Sequence, residues 1–187
     1  MKSRVKPDSW IINLPIAHRG LHGNGAGENT RTAYARAIEA GYPIEMDVQL
    51  TKDGVPVCFH DDNAKRVTGV DKLIWDMTIE EVKKLKVCGT NDGVMTFEEF
   101  LNFVDGRTPI LVEIKQQRDG KHSGIEKKTA ELLDNYKGEF AVQSFDPFIM
   151  QRVRKLRPQF LRGQLGGARP KSLSYPKYLV VRKLLLN

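Results

Sequence analysis

The sequence predicts an α/β fold in which strands alternate with helices and a parallel sheet closes into a barrel. Three observations predict it. Apolar runs of strand length alternate with helical periodicity from Ile11 to Leu165. Ionisable residues recur at strand end after strand end: His18-Arg19, Glu45 and Asp47, His60-Asp61, Glu113 and Lys115. The 187 residues, 40% apolar and 28% charged, have the size and composition of one domain able to bury its own core. Alternation alone leaves the sheet open or closed. The charged strand ends decide for the barrel. Burying them separately is costly, whereas one end of a barrel pools them in a single solvated site.

Each element has a local reason. Ile11–His18 is an apolar run ending before Gly20, long enough for one buried strand. Leu21–Gly27 is a glycine-rich loop. Asn29 or Thr30 can cap a helix running to Ala40, with Ala33, Tyr34, Ala37 and Ile38 on one face and Gly41 just past its end. Pro43–Leu50 reads as a second strand, Thr51–Gly54 as a turn and Val55–His60 as a third strand. Asp61–Trp75 is polar and irregular. Thr78 with Glu81, and Thr96 with Glu99, are capping boxes that open short helices. Their apolar faces are Ile79, Val82 and Leu85, then Phe97, Phe100, Leu101 and Val104. Ile110–Ile114 is a fourth strand, followed by a helix near Ile125–Tyr136. Phe140–Phe145 is a fifth strand. Asp146-Pro147 pairs an N-cap with a proline at the first helical position, so a helix runs to about Leu156. Phe160–Leu165 is a sixth strand, and after Gly166-Gly167 the pattern fades.

Charge is uneven. The net charge is +7, yet Pro147–Asn187 holds ten Lys/Arg and no Asp/Glu, so the first 146 residues carry a net −3 (20 − 23). A basic block of this kind suits an anionic membrane surface, nucleic acid or an anionic substrate. Few aromatics interleave with it, as base stacking would want, so no nucleic-acid partner is expected. The favoured reading of the block is a solvated helix face followed by a ragged end, with weak membrane-surface contact as the other; Tyr178–Leu186 fits either the helix that would precede a seventh strand or a short membrane-surface helix. No apolar run approaches the roughly 18 residues of a spanning helix. Met1–Pro15 carries Asp8 and Asn13 and has no signal-peptide pattern. Cys58 and Cys88 are too far apart for a zinc knuckle and too few for a disulfide framework, which suits a reducing, cytoplasmic setting.

The residue types assemble a site. Glu45 and Asp47 are two apart on a strand, so both leave the same face; Glu113 and Lys115 share that spacing. Three convergent carboxylates need a cation, and oxygen ligands favour a hard one, Mg²⁺ or Ca²⁺. His18 and His60 offer a general acid and a general base. Arg19 and Lys115 supply fixed positive charge for a phosphate oxyanion. Together these describe metal-assisted cleavage of a phosphodiester.

The motifs His18-Arg19-Gly20, Glu28-Asn29-Thr30, the Glu45–Gly54 stretch, Val57–Asp61 and Glu113-Ile114-Lys115 resemble the glycerophosphodiester phosphodiesterases over about residues 14–165. The resemblance implies a (β/α)₈ TIM-barrel-type fold with a small helical insertion, here placed at 61–105. It implies a divalent metal and hydrolysis of glycerophosphodiesters to glycerol 3-phosphate and an alcohol. By resemblance Glu45, Asp47 and Glu113 are metal ligands, and His18 and His60 are the catalytic pair. Arg19 and Lys115 match phosphate-contacting positions, and Glu28 matches the acidic residue of the first loop. Gly27 stands where the family usually has proline. Six strands are readable where the barrel has eight, and the family's late Trp-containing strand motif is absent, so the single domain 1–187 reads as lacking its last two strands. Residues 166–187 form its basic, apolar tail. An open edge of this kind invites self-association. Two alternative readings stand beside the enzyme: a phospholipase-type activity on intact or lysophospholipids, and a non-catalytic remnant or binding module.

Overall fold

The structure, a computed structural model, describes residues 5–117 and 124–166. Strands β1 (Ala17–His18), β2 (Ile44–Leu50), β3 (Pro56–Cys58), β4 (Ile110–Ile114), β5 (Phe140–Ser144) and β6 (Arg162–Gln164) form one sheet. Five strands run parallel in the order β1-β2-β4-β5-β6. Among the described residues this sheet is open, with β1 and β6 at its edges. It is the parallel half of the expected barrel.

The third expected strand takes a different direction. β3 pairs with β2 antiparallel, Val48 facing Cys58 and Leu50 facing Pro56. The reason is the short turn between them: parallel neighbours need a crossover of about a dozen residues, and Thr51–Gly54 cannot supply it. β3 is therefore a return strand at the top of β2, and His60 follows it. The apolar run from Ile11 also differs from its reading. Trp10–Asn13 forms one helical turn, α1, and only Ala17–His18 is strand. A short apolar run fits a buried helix turn as well as a strand. The Tyr178–Leu186 segment and residues 167–187 of the tail lie outside the described residues.

The helices follow their local signals. Thr30 caps α2 (Arg31–Glu39) by accepting from the Ala33 amide, and Ala33, Tyr34 and Ala37 are buried. After α3 (Lys65–Thr68), both capping boxes form: Thr78–Glu81 opens α4 (Ile79–Val82) and Thr96–Glu99 opens α5 (Phe97–Val104). α6 spans Ile125–Asp134, and α7 spans Pro147–Leu156 behind its Asp146 cap.

Side-chain alternation sorts the sheet into two faces. Ile44, Met46, Val48, Val112 and Val142 pack against Tyr34, Phe97, Phe100, Leu133 and Val153 from the helices. Burying each large side chain there contributes about 1.5–3 kcal/mol. The other face carries Leu111 and Ala141, which Ile11 of α1 covers. The same face carries Glu45, Asp47 and Glu113. A separate apolar cluster, including Val57, Phe59, Val67, Ile74 and Val82, holds the segment after β3 together.

Candidate active site

Strand register places the carboxylates. His18 lies beside Glu45, and Asp47 lies beside Glu113, in adjacent parallel strands. One ligand oxygen from each of Glu45, Asp47 and Glu113 falls within 4.8 Å of the others, and all three residues are buried. The spacing argument thus brings the three expected carboxylates to one point.

Their hydrogen bonds are incomplete. Glu45 Oε2 accepts from the Arg19 backbone N–H at 3.0 Å, a contact set by the left-handed backbone of Arg19 (φ 58°). Asp47 Oδ2 accepts from Asn29 Nδ2 at 2.9 Å. Glu45 Oε1 and Asp47 Oδ1 are buried with no hydrogen-bond partner; the nearest cation to Asp47 Oδ1 is Lys115 Nζ at 3.5 Å. Two buried oxygens without donors are costly, and their convergence fits a bound hard cation. Burial, followed by the charges of Asp47 and Glu113, pushes the Glu45 carboxyl well above its ordinary value. Burial and then Asp47 push Glu113 up as well. A divalent ion would reverse that balance.

Basic groups ring the cluster. Lys115 Nζ donates to Glu113 Oε1 at 2.7 Å. Burial works against the Lys115 ammonium, but Asp47 and Glu113 hold it above its ordinary value. Arg19 Nη1 donates to Glu28 Oε1 at 2.8 Å, while Arg19 Nε lies 3.6 Å from Asp47 Oδ2 and donates to no atom. A buried guanidinium N–H left free beside the cluster suits a phosphate oxygen.

The histidines stand on different supports. His18 ends β1, its side chain 65% exposed, with Nε2 4.0 Å from Glu45 Oε2. Burial, then Arg19, lowers its pKa. His60 sits on the turn after β3, and its Nδ1 shares a 2.6 Å hydrogen bond with Asp61 Oδ1. The Gln49 amide clamps this turn from below, its Nε2 donating to the carbonyls of Phe59 (3.2 Å), His60 (3.0 Å) and Asp61 (2.7 Å). A cleft of about 390 Å³ is lined by His18, Arg19, Glu45, His60, Glu113 and Phe145. Every expected site residue therefore lies in or beside one place: Lys115 ion-pairs with two of the carboxylates, and Glu28 holds Arg19.

Four supporting residues have no catalytic, binding or metal role in the sequence reading: Asn29, there a candidate helix cap whose place Thr30 takes, Gln49, Asp61, there only one of the strand-end charges, and Arg66. Gln49 had a visible signal, since it extends the Glu45–Asp47 spacing by one more step on the same face of β2. Arg66 had none. It lies in the irregular stretch, and its Nη1 and Nη2 reach Glu28 at 2.8 and 2.6 Å while Nε reaches Asp61 Oδ2 at 2.5 Å.

Among the described residues, an open parallel sheet with its charged side chains gathered on one face is the architecture of part of a (β/α)₈ barrel. The family profile described as "Glycerophosphoryl diester phosphodiesterase family" matches residues 18–183, and the chain belongs to that family. A glycerophosphodiester phosphodiesterase of Caldanaerobacter subterraneus is 35% identical over 169 residues, covering 81% of this chain and 66% of the relative. One from Bacillus altitudinis is 34% identical, covering 76% and 62%. Among solved structures, an Oleispira antarctica phosphodiesterase in complex with the product sn-glycerol-3-phosphate superposes with a TM-score of 0.76 at 28% identity, covering 85% of this chain and 69% of that one. The Thermotoga maritima glycerophosphodiester phosphodiesterase gives 0.69 at 28%, covering 91% and 66%. The chain thus spans about two thirds of the length of these relatives. No helix among the described residues is long and apolar enough to cross a membrane.

Proposed function

We propose that this chain carries the site of a metal-dependent phosphodiester hydrolase that converts glycerophosphodiesters to glycerol 3-phosphate and an alcohol. The observation that carries the reading is the pair of donorless oxygens, Glu45 Oε1 and Asp47 Oδ1, converging with Glu113 between two histidines. Glu45, Asp47 and Glu113 would hold the ion, Mg²⁺ or Ca²⁺. The ion supplies charge stabilisation to the phosphoryl oxygens when bound. Arg19 Nε and Lys115 Nζ would hold the remaining negative charge of the phosphate. One histidine takes the proton of the attacking hydroxyl as its oxygen bonds to phosphorus. The other gives a proton to the alcohol oxygen as its bond to phosphorus breaks. Asp61 fixes the His60 ring with its Nδ1 engaged, which leaves Nε2 for that transfer. The product-bound Oleispira relative supports glycerol 3-phosphate as the product class.

Residues 1–187 are read as one domain, with 61–105 as its insertion and 166–187 as its tail. Cys58 and Cys88, both free, fit a cytoplasmic setting. Phe145 at the cleft and Phe148 beyond it are 54% and 65% exposed, which favours a second reading in which the substrate is a lysophospholipid. The test is turnover of glycerophosphocholine and of lysophosphatidylcholine with and without added Mg²⁺ or Ca²⁺. Metal-dependent release of glycerol 3-phosphate supports the first reading. Preference for the lipid supports the second. No turnover of either leaves the binding-module reading standing.

A further inference from the structure

We infer that Arg66 is a positioning residue that sets both ends of the catalytic cleft at once, holding Arg19 through Glu28 and His60 through Asp61. The inference rests on the catalytic reading given above for Arg19 and His60. Five side chains form one chain of hydrogen bonds in which arginines and carboxylates alternate up to His60. Arg19 Nη1 donates to Glu28 Oε1 at 2.8 Å. Arg66 donates to both oxygens of Glu28, at 2.8 and 2.6 Å. Its Nε donates to Asp61 Oδ2 at 2.5 Å, and Asp61 Oδ1 meets His60 Nδ1 at 2.6 Å.

The bland alternative is a surface ion pair, since the Arg66 side chain is half exposed. Such pairs contribute about 0–1 kcal/mol and place nothing. Three features weigh against it. Each carboxylate that Arg66 grips uses another of its contacts on a cleft residue. The grip on Glu28 is a two-bonded fork, the geometry that adds orientation to charge. The fork also joins segments 38 residues apart: the first loop, which carries Glu28, and the segment behind His60.

The electrostatic consequence is specific. Arg66 occupies Glu28 Oε2, so Arg19 shares only Oε1 and its Nε stays beside Asp47, free for a phosphate oxygen. Without Arg66, Glu28 is free to draw in the whole Arg19 guanidinium. Asp61, having lost its only arginine partner among the described residues, is free to swing and turn the His60 ring. Burial opposes ionisation of both carboxyls, and the Arg66 hydrogen bonds are the leading influence that brings each below its ordinary value.

Two arms predict two signatures. Asp61→Asn should lower kcat and leave affinity alone. Glu28→Gln should weaken phosphate binding and raise KM. Arg66→Ala should do both, with kcat lowered about 10²-fold, the cost of a misplacement of about 1 Å. Arg66→Lys keeps the charge and loses the fork, so it should fall between. The double variant Asp61→Asn/Arg66→Ala should lower kcat no further than Arg66→Ala alone, because both act through one contact. Lys65→Ala is the control, since Lys65 pairs with Asp71 away from the cleft.

The experiment is glycerophosphocholine turnover and calorimetric binding of sn-glycerol 3-phosphate by the full chain, with melting curves for each variant. If Arg66→Ala melts early, Arg66→Lys and the two carboxylate variants carry the test. The kcat and KM split in the stated directions supports the inference. It is overturned if folded Arg66 variants keep kcat, KM and affinity within about twofold while His60→Ala is inactive. It is also overturned if only the melting temperature moves. If His60→Ala and Arg19→Ala themselves stay active, the catalytic reading falls and takes the inference with it, and the panel tells that case from the others.

Discussion

Asn29 holds Asp47. Its Nδ2 donates to Asp47 Oδ2 at 2.9 Å, and its orientation is fixed because its Oδ1 accepts from the Tyr34 hydroxyl at 2.9 Å. The residue is buried in a left-handed backbone conformation (φ 54°) that few side chains other than asparagine adopt readily. Asp47 is therefore aimed from outside its own strand.

That contact yields the first prediction. Asn29→Ala should weaken Mg²⁺ or Ca²⁺ binding by about 10–100-fold, the usual cost of losing a group that orients a ligand. Tyr34→Phe should weaken it less, since Asn29 keeps its backbone position. Titration calorimetry on both variants checks this. Unchanged affinity in Asn29→Ala would remove Asp47 from the ligand set or Asn29 from its support.

The second prediction concerns pH. Glu45 and Glu113 have folded pKa values above the ordinary 4.5, so the folded protein binds their protons more tightly than the unfolded chain does. Stability is then greatest below about 4.5 as far as these groups are concerned, and is lost as pH rises through their raised values. Saturating divalent metal should offset the loss, because the ion binds the ionised pair. Melting temperature measured across pH, with a chelator and with metal, should give two diverging curves. Parallel curves would sink the prediction.

The third concerns Gly20, which follows Arg19. Its φ is +77°, and a Cβ there would meet the Ala33 carbonyl carbon at 2.8 Å and the Ala33 Cβ at 2.9 Å. Gly20→Ala should cost about 1–3 kcal/mol from backbone strain alone, more from the clash, and should lower turnover by shifting Arg19. Gly23→Ala, also at positive φ but with nothing within 4 Å, should cost only the strain. Urea melts and kinetics of the pair separate the two terms.

Much of the site was legible because its signals are local. Glu45 and Asp47 needed only the two-residue repeat of a strand. Thr78 with Glu81 and Thr96 with Glu99 declare their helices within four residues. What escaped depends on distant partners. Arg66 finds Glu28 across 38 positions, and Asn29 finds Asp47 across 18. The antiparallel course of β3 was in principle readable from the shortness of its turn. The single turn Trp10–Asn13 was not, because four apolar-rich residues fit a strand equally well.

The capping box at Thr96 gives a fourth prediction. The Thr96 hydroxyl accepts from the Glu99 amide at 3.0 Å, and the Glu99 carboxylate accepts from the Thr96 amide at 2.8 Å. Thr96→Ala should cost about 1 kcal/mol and leave turnover unchanged, since α5 touches the sheet on the face away from the carboxylates. A large loss of turnover would mean that α5 reaches the site, through Phe100 packed on Tyr34 or through the bridge from Thr96 to Val57 of β3.

Among the described residues β1 is a two-residue edge strand with β2 as its one neighbour, whereas β2 is paired on both sides and wholly buried. Edges of this kind open first, and central strands open only with the whole domain. His18 and Arg19 belong to the first kind, and Glu45 and Asp47 to the second. The site is thus divided between two levels of protection against exchange. Amides at 17–19 should take up deuterium long before those at 44–48. In mild urea the chain should let go of phosphate while it still grips the metal.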